Sequence, residues 1–219
     1  MEQFFLQIKI ILISILGIIA LLPGPNKKGE RRIKGTLGNV ITYLGIAFLF
    51  IPWFVIPFLP QPRFIGTMRV IMIIAGIILF GVAITIQLFS LKVLLPAFKK
   101  EFSEFTPSFL VVVGPYKFVR NPMLLAVFII FFSLYIAMGA TLSILFLPLI
   151  YLFLRLLTIY EEKKILKPRF SSEYINYKRD VKAAILGIQG GIMLGIPCFI
   201  LIIMSLIDFM NVYNFAFIK

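Results

Sequence analysis

Six apolar runs, at about residues 4–22, 37–59, 70–95, 122–137, 141–159 and 186–210, limit what this chain can fold into more than any other feature. A helix rises 1.5 Å per residue, so roughly 20 apolar residues cross the hydrocarbon core of a bilayer. Five of the runs meet that length. The 122–137 run covers only about 24 Å and borrows depth from its neighbour, to which Met138-Gly139-Ala140-Thr141 joins it by a tight, uncharged turn. In lipid the backbone must satisfy its own hydrogen bonds, which leaves helices as the economical form for such runs. The pattern predicts an all-α fold, a multi-span transmembrane helical bundle of about six spans. Of 219 residues, 61% are hydrophobic, against roughly 45–50% in soluble domains, and no long polar stretch could form a separate soluble domain. The first run carries Lys9, is followed by no small-residue cleavage site and is closed by Pro23-Gly24-Pro25. It therefore reads as a permanent span rather than a removed signal peptide.

Lysine and arginine set the orientation, because cytoplasmic loops carry the excess of both. Loop 23–36 holds Lys27, Lys28, Arg31, Arg32 and Lys34, and loop 92–121 holds Lys92, Lys99, Lys100, Lys117 and Arg120. Segment 160–185 holds Lys163, Lys164, Lys167, Arg169, Lys178, Arg179 and Lys182, whereas the intervening loops hold only Arg63 and Arg69, then nothing. The odd loops are expected at the cytoplasm and both termini outside. The same placement accounts for the net charge of +13 better than a nucleic-acid partner does. Histidine is absent, and the single cysteine, Cys198, lies in an apolar run. A His-based triad, a His/Cys zinc site and an intrachain disulfide are thereby excluded, no metal is expected, and Cys198 reads as a small packed hydrophobe.

Polar residues gather in two places at the expected cytoplasmic edge. The first is Gly114–Leu125, GPYKFVRNPMLL. Gly114-Pro115 reads as a turn, Pro122 suits the first turn of a helix, and Asn121 suits the N-cap before it. A helix start offers unpaired N–H groups and partial positive charge to a carboxylate or hydroxyl ligand. The plainer reading is a capped helix start with an aromatic and an arginine at the headgroups. In the second place, Arg155, Thr158 and Glu162 are spaced i, i+3, i+7 and share one helix face. Arg155 lies close to the membrane boundary, where an unpaired charge is costly and often functional, or else snorkels to phosphate. Glu161 and Glu162 at a helix C-terminal end oppose the dipole, although Lys163 and Lys164 could neutralise them. Phe170, Tyr174, Tyr177 and Val181, at i, i+4, i+7, i+11, form an aromatic stripe. It suits either an amphipathic helix on the inner leaflet or an aromatic lid over a pocket opening toward the membrane.

GPYKFVRNPM, a hydrophobic hairpin, the Glu161–Glu162 pair, then Phe170, Tyr174 and Tyr177 resembles the core of the isoprenylcysteine carboxyl methyltransferases and the related phospholipid methyltransferases. The typical pattern of those families is GxYxxxR(H/N)PxYxG, a helical hairpin, an acidic pair, then FGxxYxxY. The resemblance covers about residues 111–181. It implies a multi-span enzyme with a pocket for S-adenosylmethionine at its cytosolic face. By the same resemblance Tyr116, Asn121, Pro122 and Met123 line the cofactor pocket, Glu162 holds the cofactor with Glu161 beside it, and Tyr174 and Tyr177 close the site. Carboxylates and aromatic faces suit the cations of such a cofactor, and helix-start N–H groups suit its carboxylate. The chain departs from the pattern where Leu124 replaces its second tyrosine, where Ala126 and Ser171 replace glycines, and where Thr158 stands in place of an arginine. Arg155 lies one turn earlier.

The expected activity is methyl transfer from S-adenosylmethionine to a lipid-like acceptor that arrives laterally from the bilayer: a prenylcysteine carboxylate, an aminophospholipid or a small amphiphile. Arg155 is expected at the acceptor headgroup, Glu162 at the cofactor, and Glu161 as the nearest base for an amine or thiol acceptor. The alternative is a non-catalytic membrane protein that keeps the fold, motivated by Leu124, Ala126 and Thr158. Three regions are expected: N-terminal helices over 1–110, the methyltransferase core over 111–185, and an additional span within 186–219.

Overall fold

The computed structural model describes residues 2–21, 44, 50–97, 107–187, 195–207 and 210, and the regular structure within them is helical. The described helices are Glu2–Leu21, a stretch over 50–55, Gly66–Leu94, Pro122–Met138, the short Thr141–Ile144, Leu147–Glu161, Lys167–Asp180 and Gly195–Ile207. The all-α reading holds. Two continuous stretches, Gly66–Ala97 and Thr141–Asp180, are long and apolar enough to cross a membrane, and Phe5–Ile15, Pro122–Met138 and Gly195–Ile207 are shorter apolar helices. In the longer of the two stretches the apolar part ends at Ile159, and the residues beyond it are largely polar. Most of the 37–59 run, loop 23–36 and Asp208 lie outside the described residues.

The hairpin turn forms where the sequence puts it. Gly139 takes φ 58°, the left-handed conformation that ends a helix, and donates its N–H to the Ile136 carbonyl at 2.8 Å. Arg63 and Arg69, the exceptions to the charge pattern, are engaged at this end. Arg63 donates from Nη1 to the Met138 carbonyl at 2.9 Å and from Nη2 to the Pro57 carbonyl at 2.9 Å, and Arg69 donates to the Ala137 carbonyl. Two guanidinium groups thus meet the negative end of the Pro122–Met138 helix dipole.

The Gly66–Leu94 helix packs along Pro122–Met138 through a narrow face of Met72, Gly76, Ala83 and Ser90, while Val70, Ile74, Ile77, Ile78 and Phe80 point outward. A Cβ added at Gly76 would lie 2.6 Å from Ala137 Cβ and 2.8 Å from the Ser133 carbonyl oxygen, so only glycine allows this approach. Small residues inside and large apolar residues outside is the arrangement that lipid rewards, since lipid exerts no hydrophobic drive on an exposed isoleucine. The core beside this pair is aromatic. Phe131 meets Phe54 at a tilt of 47° with ring centroids 4.7 Å apart, Phe128 meets Tyr151 edge-on at 5.5 Å, and the buried Tyr135 hydroxyl donates to the Trp53 carbonyl at 2.8 Å.

The described residues at the start of the last apolar run are not helical. Residues 181–187 are not helical, and the described helix starts at Gly195. The physical reason is hydrogen bonding: the Arg120 and Asn121 backbone N–H groups donate to the Ala183 and Ala184 carbonyls at 2.8 and 2.9 Å, which holds this irregular stretch beside the hairpin's start.

Candidate functional site

The site is built where the turn before the hairpin meets the polar continuation after it. Gly114 at φ 60° opens a 3₁₀ turn over Gly114–Lys117 that buries Tyr116 against Ala97 and Val111. Pro122 then starts the next helix, with Asn121 in the N-cap position. Asn121 does not cap with its side chain, contrary to the expectation from sequence. Its amide Nδ2 donates to Glu161 Oε2 at 2.6 Å, which turns the side chain toward the facing carboxyl and away from its own helix.

On the other side, Leu147–Glu161 runs into a π-helical turn at Glu162–Leu166 and then into Lys167–Asp180. If the chain continued straight, Lys178 would lie about 24 Å beyond Glu162. Ser171 breaks the line with φ 41° and ψ −112°. The chain folds back, and Lys178 Nζ donates to Glu162 Oε2 at 2.7 Å. A π-turn and a kink at a site of polar convergence follow the usual location of such irregularities.

Arg120 completes the cluster. Its Nε donates to Glu162 Oε1 at 2.9 Å, and its Nη1 donates to the Val181 and Lys182 carbonyls at 2.6 and 2.7 Å. The sequence reading placed Arg120, the arginine of the GPYKFVR segment, at the headgroups and not among the site residues. Lys163 and Lys164 stay exposed, so Glu162 is neutralised by Arg120 and Lys178 rather than by its neighbours in sequence, while Glu161 accepts from Asn121.

The two carboxyls are pushed in opposite directions. Burial would raise Glu162, but the hydrogen bonds and charges of Lys178 and Arg120 outweigh it and hold the group below the ordinary carboxylate range. Burial raises Glu161, the neighbouring Glu162 charge raises it further, and the Asn121 hydrogen bond offsets only part of this. Groups so separated are a common mark of a working site.

The aromatic stripe faces inward. Tyr174, Tyr177 and Val181 are buried with Leu110, and Phe170 packs against them, which suits a lid over the cluster rather than a face laid on lipid. Burial pushes the Tyr177 hydroxyl up to about 12, so it remains a donor, and it reaches the Tyr116 carbonyl at 2.7 Å. The Tyr174 hydroxyl is buried near the Arg120–Glu162 pair without a hydrogen bond of good geometry. Met123 is half-buried and makes no polar contact, and Pro122 is buried as the first helical residue. Arg155 stands apart: no ion pair links it to the cluster, and its Nη1 is buried without a partner. Thr158, on the same face, bonds its own helix at the Leu154 carbonyl, 3.0 Å away. Among the described residues no three His, Cys, Asp or Glu side chains come together as a metal site would require.

Fold and site together define a helical protein of membrane type, with a carboxylate–guanidinium cluster where its apolar helices give way to polar chain. Residues 71–173 match the model of the phospholipid methyltransferase family. The match bears out the resemblance read from the motifs and spans Tyr116, Arg120, Asn121, Arg155, Glu161 and Glu162, while Tyr174, Tyr177 and Lys178 lie just beyond it. No curated protein and no solved structure matches the chain.

Proposed function

We propose that this protein is a multi-pass membrane methyltransferase that takes its methyl group from S-adenosylmethionine at the cytoplasmic face and passes it to a lipid-like acceptor. The observation that carries this reading is Glu162: a carboxylate held charged although buried, at the point where the two motif segments of a methyltransferase domain touch.

The donor set fits the cofactor. Glu162 and Glu161 offer carboxyl oxygens to cationic groups, Tyr174 and Tyr177 offer aromatic faces to the same charges, and the buried Tyr174 hydroxyl makes no hydrogen bond of good geometry. When bound, the cofactor supplies a methyl group on a positively charged sulfur. The chain's own contribution is then alignment and exclusion of water. Glu162 orients, the Tyr174–Tyr177 lid keeps the pocket dry, and Glu161 is the group able to accept a proton from an amine or thiol acceptor. Arg155 has a free guanidinium nitrogen to offer a phosphate or carboxylate of the acceptor.

Binding of S-adenosylmethionine to the detergent-purified protein tests the reading, with Glu162→Gln and Glu162→Ala compared with wild type and folding checked by circular dichroism. Saturable binding that is lost or weakened at least about tenfold, the worth of one charge-assisted contact, supports it. A folded wild-type protein that binds no S-adenosylmethionine in detergent or in nanodiscs overturns it.

A further inference from the structure

Glu162 is held by two cations that differ in kind. Arg120 is fixed: its side chain is 5% exposed, and Nη1 is anchored to two backbone carbonyls while Nε meets Glu162 Oε1. Lys178 is not. Its side chain is 51% exposed, and its ammonium makes one hydrogen bond, to Glu162 Oε2, which leaves two of its three donors to water. An ion pair with one half-exposed lysine partner is weak, because water and salt compete for the ammonium. Removing Arg120 would break a buried network, whereas Lys178 can swing into solvent on four flexible carbons.

The position that Lys178 takes matters as much as its looseness. Oε2 is the oxygen of the buried carboxylate that Arg120 does not bond, and Glu162 lies near Tyr174 and Tyr177. A ligand cation brought to Glu162 meets Lys178 at Oε2, and the like charge of the two cations sets them in competition for that oxygen.

We propose that Lys178 is a built-in stand-in for the ligand's cation, pairing with Glu162 Oε2 until a positively charged group of S-adenosylmethionine replaces it. The proposal rests on the functional reading above and adds to it a competition inside the chain. Lys178 keeps Oε2 paired until the ligand binds, adding to the fixed Arg120 pair at Oε1. It leaves when the ligand arrives, and the tightness of binding is set by the difference between the two cations.

Two readouts test this on the full-length protein in nanodiscs. The first is amine labelling at Lys178, followed by mass spectrometry with and without saturating S-adenosylmethionine. The second is calorimetric affinity of wild type, Lys178→Met and Lys178→Arg for the same ligand. Labelling of Lys178 should rise on ligand addition. Lys178→Met should bind about two- to fivefold tighter, the range expected for removing a half-exposed competitor, and Lys178→Arg should bind as wild type does. S-Adenosylhomocysteine, uncharged at sulfur, identifies the replacing group: release of Lys178 by both ligands assigns the α-ammonium, and release by S-adenosylmethionine alone assigns the sulfonium. Unchanged or reduced labelling in a wild-type protein that does bind overturns the stand-in role and leaves the methyltransferase reading intact. Weaker binding by Lys178→Met does the same, because it makes Lys178 a partner of the ligand. Absence of any binding by wild type removes both.

Discussion

Arg120 and Glu162 lie 42 positions apart in sequence and meet Nε to Oε1 at 2.9 Å, with side chains 5% and 7% exposed. The pair ties the turn before the hairpin to the π-turn after it, and the two carbonyl contacts of Nη1 add the stretch that follows Lys167–Asp180. Removing one partner of a buried pair leaves the other charge uncompensated, at a cost of about 3–5 kcal/mol, whereas replacing both with apolar groups can be nearly neutral. Lys178 remains beside Glu162 after Arg120 is lost, so Arg120→Leu should fall at the lower end, about 3 kcal/mol. Equilibrium unfolding in mixed micelles checks it: the Arg120→Leu/Glu162→Leu double variant should recover much of that loss, and strict additivity of the two single losses would deny the coupling.

The opposed carboxyls give stability two pH limits of opposite sign. Glu162 has its folded value lowered, so its contribution is present above the ordinary carboxylate value and is lost as pH falls through the lowered one. Glu161 has its folded value raised, so its contribution is greatest below the ordinary value and is lost as pH rises toward the raised one. Glu161→Gln removes the second effect while its amide oxygen still accepts from Asn121. Melting temperatures should therefore match wild type at about pH 4 and exceed it at about pH 8. Parallel profiles across that interval would mean that Glu161 ionises at no cost to the fold.

Much of this was legible in the sequence because lengths and turns carry it. The hairpin turn at Gly139, the helix start at Pro122 and the approach of Glu161–Glu162 to the GPYKFVR segment all follow from local rules or from the family pattern. What stayed hidden depends on contacts between distant residues. Nothing local tells that Asn121 prefers the Glu161 carboxylate to its own helix, or that Arg120 sits under Val181 and Lys182 rather than at the headgroups. Lys178 was hidden for another reason. Its meeting with Glu162 requires a reversal that helical periodicity cannot foresee, since the period assumes that the helix runs straight through Ser171.

Ser171 stands where the family pattern has glycine, and its φ of 41° with ψ −112° is a conformation that side chains resist. Such strain costs about 1–3 kcal/mol, while glycine's extra freedom in the unfolded chain costs only about 0.5–1 kcal/mol. The strain outweighs the entropy, so Ser171→Gly should stabilise the protein by about 1 kcal/mol and keep the kink. A rise in melting temperature with unchanged S-adenosylmethionine affinity is the expected result. A fall would mean that the serine side chain contributes something that outweighs its backbone strain.

Arg155 is the residue through which cofactor and acceptor can be told apart. Its Nη1 is buried without a partner, a state that costs about 1–3 kcal/mol per unsatisfied donor. It touches none of Arg120, Glu161, Glu162 or Lys178 through a hydrogen bond or ion pair. Under the proposed function, a group whose unpaired donor is costly and which is detached from the carboxylate cluster should serve the acceptor rather than the cofactor. Arg155→Leu should therefore leave stability unchanged or improved and leave S-adenosylmethionine affinity as in wild type. It should slow transfer of labelled methyl groups into membrane lipids about tenfold or more, the loss of one charge-assisted hydrogen bond of about 1.5–3 kcal/mol. Arg155→Lys, which keeps the charge and loses the planar fork, should fall between. The opposite split, with S-adenosylmethionine affinity lost and acceptor dependence unchanged, would move Arg155 to the cofactor and leave the acceptor headgroup to be held by residues elsewhere in the bundle.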